Sequence, residues 1–266
     1  MFEQMRTKQP GASLRSILFY RFVAAIMRWA MRVGWGLTSM DVERVPASGP
    51  LLLVANHQSY FDPVAIGSLI KTRNLDYIAR IGLFSFKPLG WLIAALNSIP
   101  IRGTGGADAG TIREVVARLA MGRATLLFPE GSRTHDGYLQ PFQAGVMLLV
   151  RKAKCPVVPV AIAGAYKAWP RAQVLPWPFS GRLRIMYGEP IPAEVLLGMP
   201  TDEAMGLLRT RIEVMLGAMG EQFSTNLAEE ISNRAADGVQ GGQGLEEKVN
   251  ASAQSTQGSG GAVVGR

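Results

Sequence analysis

The chain contains few of the residue types on which many catalytic and metal sites depend. Its 266 residues include a single cysteine, Cys155, and two histidines. One cysteine excludes an intramolecular disulfide and a metal site built from several cysteines, and we predict no metal site. Cys155 precedes Pro156 in an apolar context. We therefore interpret it as a small buried core residue and not as a nucleophile.

Charged residues are also scarce, at 18% of the chain, whereas about 25% is usual for a soluble domain. Basic residues nevertheless outnumber acidic ones by 28 to 20, which gives a formal net charge of +8. No motif that reads DNA or RNA is present, and the lysines and arginines are dispersed. A basic but apolar-rich chain favours an anionic membrane surface or phosphorylated ligands over nucleic acid.

No stretch reaches the roughly 18 uncharged apolar residues typical of a membrane span. Residues 12–37 are apolar but contain arginines, and Arg21, Arg28 and Arg32 share one stripe of a helix. This pattern predicts that residues 1–40 contain an amphipathic helix that lies in the membrane interface, with its arginines reaching the lipid phosphates. The alternative is a helix packed on the protein's own core.

The rest of the chain alternates between short apolar runs and helical patterns. Continuous apolar runs at residues 51–54 and 125–128 predict buried strands. Further strands are predicted at residues 75–79, 97–101, 157–162 and 182–187, and helices after Asp62 and at 88–96, 107–121, 142–153 and 201–219. This alternation predicts a single α/β domain over residues 41–225, with a mixed central sheet flanked by helices. Residues 226–266 lack apolar periodicity, so we predict a disordered tail.

Local signals predict where some of these elements begin. Asp62 followed by Pro63 is typical of an N-cap with proline at the first helical position. Thr201, followed by two acidic residues, is predicted to cap the last helix. Residues 41–49 are predicted to form a short strand and a turn.

Polar side chains follow three of the predicted strands, in residues 56–62, 101–103 and 129–133. Since strand ends in one sheet lie side by side, these clusters can converge. A histidine held by a carboxylate, here His57 and Asp62, can take a proton from a hydroxyl. Two guanidiniums, Arg102 and Arg133, suit a phosphate. The pattern therefore favours a substrate that carries both a hydroxyl and a phosphate.

Four motifs in this sequence resemble the four conserved blocks of the glycerolipid acyltransferase family, in order and spacing. They are Asn56-His57 with Asp62, Ile-Pro-Ile-Arg at 99–102, Phe-Pro-Glu-Gly-Ser-Arg-Thr at 128–134, and Val-Pro-Val at 158–160. The resemblance covers about residues 35–190 and is strongest to bacterial 1-acyl-glycerol-3-phosphate acyltransferases. Four motifs in the right order are far more specific than any one of them.

The resemblance implies a role for each matching residue. His57 is similar to the family's general base and Asp62 to its orienting partner. Arg102 and Arg133 resemble the ligands of the acceptor phosphate, while Glu130 and Gly131 resemble residues that position the acceptor.

The resemblance also implies an activity. A fatty acyl group would pass from acyl-CoA or acyl carrier protein to the free hydroxyl of 1-acyl-glycerol-3-phosphate, forming phosphatidic acid in phospholipid biosynthesis. The hydroxyl would attack the thioester directly, without a covalent acyl-enzyme and without a cofactor. The expected location is the cytoplasmic face of the inner membrane, peripheral or monotopic.

Alternatives remain open. The family often has a lysine and an acidic residue before the second block, whereas this chain has Arg80 and no acidic residue there. The acceptor could therefore be glycerol-3-phosphate or a lyso-aminolipid. Two other classes are a non-catalytic lipid-binding protein and a serine hydrolase that uses Ser59 or Ser132.

Overall fold

The computed structural model describes residues 9–101 and 109–221, so Arg102 and the predicted tail at 226–266 lie outside the described residues. The helices are α1 (Leu14–Trp35), α2 (Asp62–Leu69), α3 (Lys87–Ala95), α4 (Ala109–Ala120), α5 (Gly145–Ala153), α6 (Ala165–Ala168), α7 (Ala193–Leu197) and α8 (Thr201–Ala218). The strands are β1 (Thr38–Met40), β2 (Leu51–Ala55), β3 (Leu75–Arg80), β4 (Ser98–Ile101), β5 (Ala124–Leu127), β6 (Val157–Ala163) and β7 (Arg184–Tyr187).

The seven strands form one sheet in the order β1-β7-β6-β2-β5-β3-β4. All neighbouring strands are parallel except β6 and β7, which are antiparallel. The predicted mixed sheet flanked by helices is therefore confirmed. Strand β2 lies at the centre, between β5 and β6. The carboxyl ends of these three strands consequently open at the same edge of the sheet.

Both faces of the central strands are covered, and every residue of β2 and β6 is buried. Helices α1 and α2 pack against each other and contribute to the core on one face, whereas α8 packs on β6 on the other. The side chains of α8 that the periodicity places inward are all buried: Met205, Leu208, Ile212, Met215 and Met219. The helix predicted at residues 201–219 is therefore confirmed, whereas the assignment of Thr201 as its cap is wrong.

Two predicted helix caps and the position of one predicted strand are wrong. Asp62 is the first residue of α2, with Phe61 at the cap position, because its carboxylate turns back toward the preceding loop. Helix α8 begins at Thr201 itself, after Pro200. The strand expected in residues 41–49 lies earlier, as β1. It is followed by a 3₁₀ turn at Val42–Arg44, because Asp41 adopts a left-handed backbone that ends the strand.

Helix α1 has two different apolar faces. One face is buried through Ile17, Tyr20 and Met31, and Arg28 Nη1 donates to the backbone oxygen of Ser68 on α2 at 2.7 Å. The other face leaves large apolar side chains exposed. Within residues 9–101 and 109–221, no helix combines the length and the apolar character needed to cross a bilayer. The association of α1 with a membrane stays a prediction.

Candidate active site

His57 lies two residues beyond β2, and its imidazole is bound by a buried carboxylate. His57 Nδ1 is 2.7 Å from Asp62 Oδ2. The same oxygen accepts the backbone N–H groups of Gln58 at 2.6 Å and Ser59 at 2.7 Å. Because a carboxylate can only accept, Nδ1 carries the proton and Nε2 is left with a lone pair. The His57 side chain is 18% exposed, whereas Asp62 is completely buried.

The segment that follows β5 fixes the backbone of His57 from both sides. The His57 N–H donates to Glu130 Oε1 at 2.6 Å, and the Thr134 N–H donates to the His57 carbonyl oxygen at 2.8 Å. The imidazole also stacks on the Phe128 ring, with centroids 3.9 Å apart and planes at 14°. Two motifs that are distant in the sequence thus hold one histidine in a single orientation.

Glu130 is buried, and both of its oxygens accept backbone N–H groups. Oε1 binds His57 N, and Oε2 binds Gln140 N at 3.0 Å. Burial raises the pKa of Glu130 to about 8, although the two N–H donors act in the opposite direction. In this arrangement the carboxylate orients the loop that carries the histidine. Its predicted contact with the acceptor stays a prediction.

Gly131 occupies a turn that requires glycine. Its φ is +69°, and a Cβ there would overlap the side chain of Gln143. Its carbonyl oxygen accepts Arg80 Nη2 at 3.1 Å. The conformation explains the residue type without any ligand, so its predicted role toward the acceptor also stays a prediction.

Arg133 lies on the same side of the sheet as His57, and its guanidinium carbon stands 3.4 Å from the centroid of the Tyr60 ring. Arg133 Nη1 is buried and has no hydrogen-bond partner among the described residues. Arg171 Nη1 donates to the Arg133 carbonyl oxygen at 3.1 Å. Together with Arg80, these side chains place three guanidiniums around the turn at 131–133. The arrangement can bind an anion, because an unpaired guanidinium N–H group favours an oxyanion partner.

Sequence reasoning missed Tyr60 and Arg171. Tyr60 lies inside the first motif, but only the folded loop shows that its ring meets Arg133. Arg171 follows Trp169 in an irregular segment, and no periodicity or spacing connects it to residue 133. Asn56 has a structural function. Its side chain exchanges two hydrogen bonds with the backbone of Ile162 and so ties the end of β2 to β6.

Ser59 and Cys155 have poor geometry for nucleophilic attack. Ser59 Oγ is buried, donates to the Trp169 carbonyl oxygen at 2.9 Å and accepts the Phe61 N–H. Cys155 is buried as predicted, and burial raises the pKa of its thiol to about 11. Neither side chain is paired with a base, so the geometry favours a mechanism without a covalent intermediate on these residues.

Comparisons with known proteins agree with this geometry. The model of the acyltransferase family matches residues 37–163. The chain is 29% identical over 157 residues to the chloroplastic 1-acyl-sn-glycerol-3-phosphate acyltransferase BAT2 of Brassica napus, over 57% of this chain and 44% of that protein. It is 33% identical to the lyso-ornithine lipid O-acyltransferase of Pseudomonas aeruginosa, over 50% of this chain and 49% of that protein. The chain thus spans about half the length of these curated relatives.

A solved structure shares the fold. The 1-acyl-sn-glycerophosphate acyltransferase PlsC from Thermotoga maritima superposes with a TM-score of 0.65 at 22% identity, over 84% of this chain and 89% of that one. The family match at 37–163 includes β2, β5 and β6, together with the loops that carry His57, Glu130 and Arg133. The similarity to the acyltransferase family therefore spans the residues that form the candidate site.

Proposed function

We propose that this protein transfers a fatty acyl group from a thioester donor, acyl-CoA or acyl carrier protein, to the free hydroxyl of 1-acyl-glycerol-3-phosphate. The product would be phosphatidic acid. The observation that carries the proposal is the buried Asp62 bound to His57 Nδ1 at 2.7 Å, in a loop whose Tyr60 ring lies 3.4 Å from the guanidinium carbon of Arg133. Relatives with this activity in their names, such as the one from Brassica napus, support it.

The His57–Asp62 pair would act as the general base. Nε2 takes the proton of the acceptor hydroxyl while that oxygen attacks the thioester carbonyl carbon. The new C–O ester bond forms and the C–S bond breaks, and the imidazolium returns its proton to the leaving thiolate. Asp62 keeps Nδ1 protonated and stabilises the positive charge that develops on the ring. No residue of the protein needs to carry the acyl group, and no cofactor is required.

The arginines would bind the acceptor phosphate. Arg133 offers a buried Nη1 that has no hydrogen-bond partner within residues 9–101 and 109–221, and Arg80 and Arg171 bring further positive charge to the same turn. Arg102 would add a fourth guanidinium, as its motif implies. A phosphate bound here would allow the acceptor hydroxyl to lie near His57 Nε2. Holding the two reacting groups in this orientation lowers the entropic cost of the reaction.

The protein would work at the cytoplasmic face of the inner membrane, with α1 lying in the interface. The exposed apolar side chains and flanking arginines of α1 support this placement. Such docking would give the site access to acceptors that reside in the bilayer.

The test is acyl transfer to lysophosphatidic acid by wild type and His57→Ala. A general base contributes about 10²–10⁴-fold, so His57→Ala should lose at least two orders of magnitude while keeping its melting temperature. The control is His135→Gln, which removes the only other histidine but keeps an acceptor for Arg171 Nη1, 3.0 Å from the His135 ring, and it should change the rate by less than tenfold. Activity of His57→Ala within tenfold of wild type would refute the mechanism.

A second acceptor has specific support. The lyso-ornithine lipid O-acyltransferase is 33% identical to this chain, more than the Brassica napus relative. A lyso-ornithine lipid has no phosphate, so the cluster of Arg80, Arg133 and Arg171 favours the phosphorylated acceptor. Rates for the two acceptors with one acyl donor would separate the two activities. Glycerol-3-phosphate belongs in the same panel.

A further inference from the structure

The irregular segment between α6 and β7 exposes four large apolar side chains within six residues. Val174 is 87% exposed, Leu175 74%, Trp177 64% and Phe179 80%. We call residues 174–179 the apolar loop. Scattered apolar side chains on a surface are ordinary, but a contiguous exposed group of this kind marks an interaction site.

The apolar loop is fixed in place by backbone hydrogen bonds to its neighbours. The Phe179 N–H donates to the Gly34 carbonyl oxygen at 2.8 Å, and Trp35 Nε1 donates to the Trp177 carbonyl oxygen at 2.8 Å. Phe179 has a φ of +59°, a left-handed conformation that is rare for a bulky side chain. The chain therefore holds an aromatic ring in solvent at the cost of backbone strain, which indicates that the ring has a partner.

The apolar loop is continuous with the exposed face of α1. The exposed apolar side chains of that helix are Leu18, Phe22, Ile26, Trp29 and Val33. At 3.6 residues per turn they fall within roughly 80° of the helix circumference. This exposed stripe ends at Val33, next to Gly34, to which Phe179 is bonded. The stripe and the apolar loop thus form one surface.

The chemistry of this surface fits a lipid bilayer. Arg21, Arg28 and Arg32 occupy neighbouring positions on one side of the exposed stripe, and the exposed Arg182 follows the apolar loop. Aromatic rings beside arginines are typical of segments that insert among lipid headgroups. A net charge of +8 also favours an anionic surface and opposes association of two copies of this chain.

The segment that leads into the apolar loop contacts the candidate active site. The Trp169 ring lies 5.1 Å from the Tyr60 ring, and its Nε1 donates to the Gln173 carbonyl oxygen at 3.0 Å. Arg171, between them, donates to the Arg133 carbonyl oxygen. One segment therefore connects the exposed apolar side chains to the guanidiniums around residue 133.

We propose that the apolar loop is a second membrane-docking element, which inserts into an anionic bilayer beside α1 and holds the candidate active site against the lipid surface. This proposal rests on the proposed function for its lipid acceptor. The docking itself is independent of catalysis, because Val174, Leu175, Trp177 and Phe179 lie outside the His57 and Arg133 loops.

The experiment compares the full-length chain with the double variant Leu175→Ser/Trp177→Ser. These substitutions keep the backbone bonds of residue 177. The matched control is Val195→Ser/Val214→Ser, which removes two exposed apolar side chains on α7 and α8. Sedimentation with vesicles of phosphatidylglycerol and phosphatidylethanolamine measures binding. Acyl transfer is measured with a vesicle-embedded acceptor and with a short-chain lysophosphatidic acid below its critical micelle concentration.

We expect the apolar-loop variant to bind vesicles at least tenfold more weakly than wild type and the control to bind as wild type does. Its rate should fall with the vesicle-embedded acceptor and stay unchanged with the soluble one, at an unchanged melting temperature. Unchanged vesicle binding by the apolar-loop variant would overturn the docking proposal. The proposal would also be overturned if wild type is a dimer and the substitutions dissociate that dimer without changing vesicle binding. A failure of the proposed function would give a different result from either of these outcomes. Wild type would then transfer no acyl group to either acceptor, while loss of vesicle binding in the variant would still support docking.

Discussion

Replacing Asp62 by asparagine tests whether its charge, and not only its hydrogen bonds, supports the reaction. Asp62 Oδ2 accepts three N–H groups, from His57, Gln58 and Ser59, at 2.6–2.7 Å. An asparagine carbonyl oxygen at the same position can accept all three. Its NH₂ group would occupy the place of Oδ1, which is buried and has no hydrogen-bond partner in the described part of the chain. The loop should therefore keep its shape while losing one negative charge.

The substitution is expected to lower both stability and catalysis. Hydrogen bonds to a charged group contribute about 1.5–3 kcal/mol each and bonds to a neutral oxygen about half as much, so the three bonds to residue 62 should weaken without being lost. The imidazolium that forms on His57 would, however, lose its counter-ion at 2.7 Å. We expect kcat to fall roughly 10²–10⁴-fold, which corresponds to about 3–5 kcal/mol in the activation free energy.

Steady-state acyl transfer to lysophosphatidic acid, together with a thermal melt, measures both quantities. The KM for the acceptor should change by only a few-fold, since Asp62 is completely buried and makes no hydrogen bond to an arginine within residues 9–101 and 109–221. The control is Asp202→Asn, which removes one negative charge at an exposed position of α8 and should behave as wild type. A folded Asp62→Asn enzyme with kcat within tenfold of wild type would show that the carboxylate does not stabilise the imidazolium.

Three further predictions follow from the neighbouring side chains. Arg133→Lys keeps the charge but loses the planar pair of donors, so the KM for lysophosphatidic acid should rise roughly ten- to a hundredfold with a smaller change in kcat. Burial raises the pKa of Glu130 in the folded chain to about 8 from its ordinary value of 4.5, so between these values the folded chain holds a proton that the unfolded chain has released. Its contribution to the free energy of unfolding should therefore fall as pH rises from about 5 to 8, by up to about 1.4 kcal/mol per pH unit, and Glu130→Gln should remove that slope in urea titrations. Cys155, with a pKa of about 11, should react slowly with a thiol reagent at pH 8 in the native protein and rapidly in denaturant.

The sheet could be predicted from the sequence because its strands carry strong signals. Buried parallel strands are continuous apolar runs, and no polar residue interrupts the runs at β2 and β6. The caps of the helices were harder to predict, because they depend on which partner a side chain binds in the folded protein. Asp62 matches the residue type of an N-cap, but its carboxylate binds His57 and two preceding amides. Tertiary contacts therefore decided its position.

The residues of the candidate site could be predicted from the sequence only where they come shortly after the end of a strand. His57 and Glu130 could be found this way, because each directly follows a buried strand. The contact between Glu130 and the His57 backbone could not, since no spacing predicts which oxygen meets which amide. Arg171 was missed for a related reason. It lies in an irregular segment, and its place beside Arg133 depends on the path of the backbone and not on any repeat.

The sequence allowed two predictions for the first helix, that it lies in the membrane interface or that it packs on the protein core. The structure assigns these two environments to different faces of α1. Periodicity places apolar side chains around much of the helix, and the sequence alone cannot say which of them the sheet covers. Tyr20 and Met31 are buried against the protein, while Phe22 and Trp29 are exposed. A helix that used all its apolar residues in the core would need no exposed tryptophan beside its arginines. The exposed stripe on α1 therefore calls for a partner outside the protein, and the proposed transfer of an acyl group to a lipid acceptor makes a lipid surface the partner to test first.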